Sequence, residues 1–202
     1  MIRVYLQPEP VSFDDNVRQP GMAFLGRTAE PTSWKGREYW LHCLHDLYNS
    51  YSGICAYSAE WIPQTTGDPT VDHFVPKSAN SRQTYEWPNF RLACLRFNRW
   101  KREFQDVLDP FEIQDDWFAL DFPSLQIKPA DRILVATQQR VRETITRLRL
   151  NTEICIRSRE RWIKDFCTRQ FTFEYLSANA PFIARELNRQ GIVDTIPEIM
   201  NY

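Results

Sequence analysis

Apolar and polar positions divide the chain into an irregular start, a helical segment and a long helical end, with a mixed stretch between them. Residues 1–33 are rich in proline and polar side chains, which predicts an arm packed on the body of the protein or on a partner. Within residues 34–51, apolar side chains recur at helical spacing and predict a helix with one buried stripe. The stripe consists of Trp40, Leu44, Leu47 and Tyr51.

The end of the chain predicts three helices. The first carries an apolar stripe made of Leu134, Val141, Ile145 and Leu148. Asn151 and Thr152 offer a break and a cap before the second helix. The third helix is predicted to begin near Pro181 and to end at Gly191, because proline suits the first helical position and glycine the end. Residues 103–130 predict short strands or irregular structure.

We therefore expect an α+β fold that is mostly helical and has three parts. These are an N-terminal arm (residues 1–33), a core with a flanking helix and loop (34–130) and a C-terminal helical region (131–202). At 202 residues, the chain is long enough to bury an apolar core, either as one domain or as a compact core with extensions.

Cysteine usage and hydropathy bear on the cellular compartment. The five cysteines are an odd number without a tight spacing pattern, which predicts reduced thiols and a cytoplasmic protein. The first ten residues lack the apolar region of a signal peptide, and no apolar run approaches the length that spans a membrane. We expect no membrane association.

Charge is unevenly distributed, although the formal net charge is only −1. The segment from Arg82 to Arg102 has six bases and one acid, whereas the segment from Glu103 to Asp121 has seven acids and no base. A basic site beside an acidic stretch can bind a polyanion while the total charge stays near zero. A run of charges can equally be a solvated face.

The stretch from Val71 to Lys101 combines an acid, a histidine, an amide and several cations in a short space. Thr70–Val75 and Phe90–Leu95 predict two antiparallel strands, and Phe97–Phe104 predicts a helix that follows them. A hairpin followed by a crossing helix would bring together side chains that are distant in sequence.

Asp72, His73 and Asn98 would meet in that arrangement, and together they suit phosphodiester hydrolysis. A histidine can deprotonate water near neutral pH. The Asp72 carboxylate and the Asn98 amide offer the oxygen ligands that Mg²⁺ or Mn²⁺ prefers. Because adjacent residues of an ideal strand point to opposite faces, this interpretation requires a twisted or bulged strand end at His73.

The segments DHFVPKS, Trp87-Pro-Asn89 and Asn98-Arg-Trp-Lys101 resemble the HNH (ββα-metal) endonuclease motif, and the last two are similar to the HNH domain of the large RNA-guided CRISPR nucleases. The resemblance covers about thirty residues. It implies a ββα-metal core with His73 as general base and Asp72 as acidic metal ligand. It also implies that Asn89 braces the loop and that Asn98 is a second metal ligand.

A looser resemblance extends to PtuB-type HNH proteins of bacterial anti-phage systems of the Septu and retron-associated kind. It rests on Asp109-Pro110, Phe122, Leu148-Arg-Leu-Asn151 and two later arginines, Arg157 and Arg161. Those proteins work with an ATPase, so this resemblance implies an ATPase or another defence protein as partner. It implies a defence role in which the nuclease is the effector.

One departure from the family pattern concerns zinc. Many HNH proteins hold a structural zinc ion with two Cys-x-x-Cys pairs, but here each pair keeps only its first cysteine, in Cys55-Ala-Tyr-Ser58 and Cys94-Leu-Arg-Phe97. Two thiolates do not complete a tetrahedral site. We therefore expect no structural zinc.

Four cations are candidates for contact with nucleic acid, namely Lys77, Arg91, Arg99 and Lys101. For Lys101 and Arg99, a role in transition-state stabilisation and a solvated position on the helix also stay open. DNA is the expected substrate. Two alternatives stay open as well: a nuclease for structured RNA such as tRNA, and a binding subunit that keeps the fold without catalysis.

Overall fold

The structure is a computed structural model that describes residues 1–28 and 30–202. Residue 29, which belongs to the predicted arm, lies outside the described residues. The chain divides into two compact units. We call them the N-terminal unit (Tyr5–Cys55 with Ile62–Gln105) and the C-terminal unit (Met1–Val4 and Ala56–Trp61 with Asp106–Tyr202).

The fold class is α+β, as the sequence predicts, with eight α-helices and two separate two-stranded antiparallel hairpins among the described residues. The division into parts differs from the expected one. Residues 106–130 belong to the C-terminal unit, because they form a hairpin whose strands contact helices of that unit. None of the described helices combines the length and the apolar character needed to cross a membrane.

The N-terminal unit is built from short elements connected by loops. A π-helical turn at Asp14–Arg18 and two 3₁₀ turns at Ser81–Gln83 and Trp87–Asn89 accompany them. A further 3₁₀ turn, Tyr39–Cys43, leads directly into the second helix. In chain order the main elements are α1 (Gln19–Leu25), α2 (Leu44–Ser50), β1 (Pro69–His73), β2 (Phe90–Cys94) and α3 (Leu95–Lys101).

The part of the predicted arm that belongs to this unit packs on its body, whereas residues 1–4 belong to the C-terminal unit. The ring of Phe13 is buried and meets the rings of Trp87 and Phe90 edge to face, with centroids 5.5 Å and 5.8 Å away. A Cβ atom on Gly21 would lie 2.2 Å from Cγ of Tyr85, so only glycine allows α1 to approach that ring so closely. These apolar contacts cover one side of the region that contains β2.

β1 and β2 pair antiparallel, with Asp72 opposite Arg91 and His73 opposite Phe90. The predicted first strand runs to Val75, whereas β1 ends at His73. α3 begins two residues before the predicted helix start, directly after β2 and without an intervening loop. A hairpin followed at once by a helix is therefore present.

The C-terminal unit combines the second hairpin with five helices. Its elements are β3 (Phe118–Asp121), β4 (Gln126–Pro129), α4 (Val135–Arg147), α5 (Glu153–Cys167), α6 (Phe173–Asn179), α7 (Pro181–Gln190) and α8 (Ile196–Ile199). The helix from Pro181 to the left-handed Gly191 is confirmed. Leu134 is 79% exposed and precedes α4, so its assignment to the buried stripe is wrong.

Side chains satisfy the backbone of the second hairpin on both of its edges. The Asn151 side chain accepts the N–H of Ile127 and donates to its carbonyl, both at 2.8 Å. On β3, Glu186 accepts the N–H of Leu120 at 3.0 Å, and Gln190 donates to the Leu120 carbonyl at 2.8 Å. Pairing of this kind removes the open strand edges that otherwise invite association.

Candidate active site

His73 ends β1, and its imidazole is buried with one nitrogen committed to the backbone. Nε2 lies 2.9 Å from the carbonyl oxygen of Thr84. Because a carbonyl can only accept, Nε2 carries the hydrogen, and Nδ1 keeps an unprotonated lone pair. Burial lowers the pKa of His73 to about 3, and the charges of Lys77 and Lys101 act in the same direction. The ring is therefore neutral near pH 7, with the lone pair of Nδ1 unprotonated.

Two aromatic rings enclose this imidazole. The Trp40 ring stands perpendicular to it at a centroid distance of 4.8 Å, and Phe90 of β2 lies 5.2 Å away at 82°. Trp40 comes from the 3₁₀ turn before α2, where the sequence predicts a residue of a buried helical stripe. It is buried as expected, and it also contacts the proposed base.

Asn89 braces the loop between the two strands. Its Oδ1 accepts the N–H of Val75 at 2.8 Å, and its Nδ2 donates to the carbonyls of Val75 and Gln83 at 3.1 Å and 3.0 Å. Gln83 immediately precedes Thr84, whose carbonyl binds His73. One buried amide thus fixes both ends of the loop that orients the imidazole.

Asp72 and Lys101 form a buried ion pair. Nζ of Lys101 lies 3.4 Å from Oδ2 of Asp72 and donates to the carbonyl of His73 at 2.8 Å. The Lys101 side chain has no exposed surface and that of Asp72 is 3% exposed. Lys101 therefore links α3 to the end of β1, and its ammonium does not reach the surface.

Asn98 lies on α3 and presents a free oxygen. Its Nδ2 donates to Oγ1 of Thr70 at 3.0 Å and to the carbonyl of Val71 at 3.3 Å. The Val71 carbonyl can only accept, which fixes the orientation of the amide. Within the part of the chain that the structure describes, Oδ1 has no hydrogen-bond partner.

Lys77 lies close to His73 and rests on Trp40. Its Nζ is 4.7 Å from the centroid of the Trp40 ring, and the side chain is partly buried. Burial lowers the pKa of Lys77, while the charge of Asp72 opposes that shift. No hydrogen bond or ion pair joins its ammonium to another residue in the described ranges.

The remaining predicted phosphate contacts differ in exposure. Arg91 is 3% exposed and donates to the carbonyls of Pro88 and Phe90 at 2.8 Å and 3.0 Å. Arg91 and Lys101 are thus buried, whereas Arg99 is exposed. Arg96 and Arg102 are also exposed, and their spacing of three residues around Arg99 is a signal that sequence reasoning could have used.

The two cysteines that remain from the Cys-x-x-Cys pairs contact each other. The thiol of Cys94 shares a hydrogen bond with Cys55, which together with burial raises the pKa of Cys94. No group of three or more histidine, cysteine, aspartate or glutamate side chains suited to a metal ion occurs in residues 1–28 and 30–202. The predicted metal ligands Asp72 and Asn98 are only two side chains, one carboxylate and one amide.

No protein-family model matches the chain, and a search of curated proteins finds no match either. Trp40 and the Thr84 carbonyl are the parts of this site that sequence reasoning missed. Neither has a local signal, because both reach His73 through the tertiary fold.

Proposed function

We propose that this chain is a metal-dependent endonuclease of the HNH (ββα-metal) type that hydrolyses phosphodiester bonds in DNA. The observation that carries the proposal is the state of His73. Its imidazole is neutral, held through Nε2 and unprotonated at Nδ1, at the end of a hairpin whose following helix contributes Asn98. Hydrolysis of a phosphodiester requires a fixed proton acceptor, and a carboxylate and an amide supply oxygen ligands for the metal ion that assists it.

In the proposed reaction, Nδ1 of His73 takes a proton from the attacking water. The water oxygen forms a bond to phosphorus, and the bond between phosphorus and the leaving oxygen breaks. The imidazolium that results keeps its Nε2 hydrogen bond to the Thr84 carbonyl, which stabilises the positive charge. Asn89 contributes by holding the loop that carries this carbonyl.

Asp72 and Asn98 would hold the metal ion. Carboxylate and amide oxygens are ligands suited to Mg²⁺ or Mn²⁺, and Oδ1 of Asn98 is available for this role. A bound ion would supply Lewis-acid stabilisation of the charge on the phosphate and on the leaving oxygen. Lys101 has a positioning role, because it fixes Asp72 from within the core.

Contacts with the nucleic-acid backbone are assigned to exposed cations. Arg99 lies on the outer face of α3, and Arg96 and Arg102 share this exposure. Such side chains bind phosphate without reading the base sequence, so we expect low sequence specificity. The buried Arg91 is assigned a structural role instead.

Plasmid nicking tests the proposal. Purified protein with Mg²⁺ or Mn²⁺ should convert supercoiled plasmid to the nicked form, EDTA should stop the reaction, and His73→Ala should abolish it. His45→Ala is the matched control, because His45 is exposed on α2 and should be dispensable. Wild-type activity in folded His73→Ala protein would contradict the mechanism.

Substrate and partner are tested with the same protein. Parallel digestion of plasmid and structured RNA decides between DNA and RNA, and we propose DNA. A Mg²⁺ or Mn²⁺ titration that shows no binding dependent on Asp72 and Asn98 would favour a non-catalytic binding subunit. From the PtuB-type resemblance we also propose an ATPase partner in a defence complex, which co-purification with the product of an adjacent ATPase gene would test.

A further inference from the structure

We propose that Trp40 is a positioning residue of this site and that the Lys77 ammonium, which Trp40 holds, contacts the scissile phosphate. The inference rests on the proposed nuclease function and assigns two roles within it. Trp40 belongs to a turn 33 positions before His73 in the chain, outside the stretch that carries the motif resemblance.

A single indole contacts both the proposed base and a cation. Its ring stands at 90° to the His73 imidazole at 4.8 Å, and Nζ of Lys77 lies 4.7 Å from its centroid. An ammonium over the face of an indole is attracted by the ring quadrupole. Trp40 thereby places the cation beside the group that would activate water.

The donors of Lys77 are unused, which separates this residue from the other cations near the site. Lys101 donates to the His73 carbonyl and pairs with Asp72, and Arg91 donates to two carbonyls. Lys77 makes no hydrogen bond and no ion pair with any described residue. An ammonium offers three donors, and a phosphate oxygen is the acceptor that fits them.

None of the charged groups around Lys77 occupies the position of a phosphate ligand. Asp72, Glu103 and Glu38 act on its ammonium through space, and Lys101 opposes them. None of these carboxylates lies within ion-pair distance of Nζ. The ammonium is therefore held by the indole, and its donors remain available to an anionic substrate.

Steady-state cleavage of a fluorescent DNA duplex tests both roles. Lys77→Met should lower kcat/KM by about a hundredfold, since it removes a charged contact to phosphate. Trp40→Leu should raise KM about tenfold, and Trp40→Phe should recover most of that loss, because phenylalanine keeps a ring face. Lys35→Met removes an exposed ammonium from the same unit and should leave both constants unchanged.

The double variant distinguishes positioning from a merely structural role. If Trp40 acts on binding through Lys77, Trp40→Leu should change KM less than twofold in the Lys77→Met background. Thermal unfolding of each variant identifies loss of fold, and Trp40→Met, which also removes the ring face, is the fallback if Trp40→Leu does not fold.

Two results would overturn the inference while leaving the nuclease proposal intact. They are wild-type kinetics in folded Lys77→Met protein, and a Trp40→Leu effect on KM that is undiminished in the double variant. Wild-type protein that cleaves neither DNA nor RNA with Mg²⁺ or Mn²⁺ would instead overturn the nuclease proposal, and this inference with it.

Discussion

The hairpins β1–β2 and β3–β4 are both two-stranded and antiparallel, and both have charged or polar side chains buried beside them. Around β3–β4, Asn151 and Glu186 bond to strand backbone, and Arg159 donates to the carbonyl of Leu125 at 2.7 Å. Around β1–β2, Asn98 Oδ1 and the Lys77 ammonium have no hydrogen-bond or ion-pair partner among the described residues.

Helices α5 and α3 differ in the same way, in whether their arginines have partners. In α5, Arg157 and Arg161 each pair with an acid four positions away, and Arg159 is buried. The exposed arginines of α3 have no acidic partner among the described residues. Similar hairpins and helices can thus serve different purposes. A polar side chain whose hydrogen bonds are made within the fold indicates a structural role. One that lacks such partners indicates a role in binding a ligand.

The largest expected effect concerns the buried ammonium of Lys101, which α3 places beside the first hairpin. Lys101→Met should lower the free energy of unfolding by about 3 kcal/mol, because it leaves the Asp72 carboxylate buried without this partner. Arg161→Met in α5 should cost under about 0.5 kcal/mol, since exposed pairs contribute little. Urea unfolding of both variants measures the two losses in free energy of unfolding. Equal losses would contradict the assignment of a larger structural role to Lys101.

Two asparagine-to-alanine changes compare the hairpins directly. Asn151→Ala should cost about 2 kcal/mol of stability, because it leaves the N–H and carbonyl of buried Ile127 without partners, and nicking should persist. Asn98→Ala should cost less stability and abolish Mg²⁺-dependent nicking. Chemical denaturation and plasmid nicking are measured on both proteins. A reversed pattern would show that the two amides have been assigned the wrong roles.

Acid should destabilise the N-terminal unit through His73. Its folded pKa of about 3 lies below the value of about 6.5 expected in the unfolded chain. The unfolded state therefore binds more protons between these values, and the contribution of His73 is complete above pH 6.5 and lost as the pH falls. From pH 7 to pH 5 the loss should be about 2 kcal/mol.

Urea unfolding in EDTA at both pH values measures this loss. The other two histidines, His42 and His45, are exposed. The amino group of Met1, whose pKa burial lowers, adds a dependence of the same sign, so His73→Gln should reduce the loss by about 2 kcal/mol and leave the remainder. An equal pH dependence in that variant would assign the effect to other groups.

The smallest expected effect is the change in DNA binding when a single exposed arginine is replaced. In a His73→Ala background, Arg99→Gln should weaken DNA binding less than tenfold and reduce the slope of log affinity against log salt by about 0.9, the value for one phosphate contact. Arg157→Gln removes the same charge from an arginine that pairs with Glu153, and should leave the slope unchanged. Fluorescence anisotropy at several salt concentrations measures both slopes.

Local patterns predicted most of the first hairpin. β-Branched and aromatic residues placed both strands, with ends displaced by a residue or two, since β1 stops at His73 rather than Val75. The stop at Gly191 was predictable because the left-handed conformation there favours glycine. The predicted helix of residues 34–51 is a 3₁₀ turn followed by α2.

Long-range partners were not predictable. Asn151 sits where the sequence suggests a helix break, yet its side chain holds β4 from 24 positions away. Lys101 follows a helical pattern that suits solvent, and its burial depends on the carbonyl of His73 and on Asp72. The partners of both side chains are set by tertiary contacts, which the local spacing of residues does not predict.

Chemical rescue of His73→Ala tests the central claim most directly. The substitution leaves a space the size of an imidazole beside the Thr84 carbonyl, so added imidazole can take the place of the lost base. We predict that His73→Ala protein with Mg²⁺ does not nick plasmid and that nicking returns in proportion to imidazole concentration. Nicking by His73→Ala protein at the wild-type rate without imidazole would contradict the assignment of His73 as the general base.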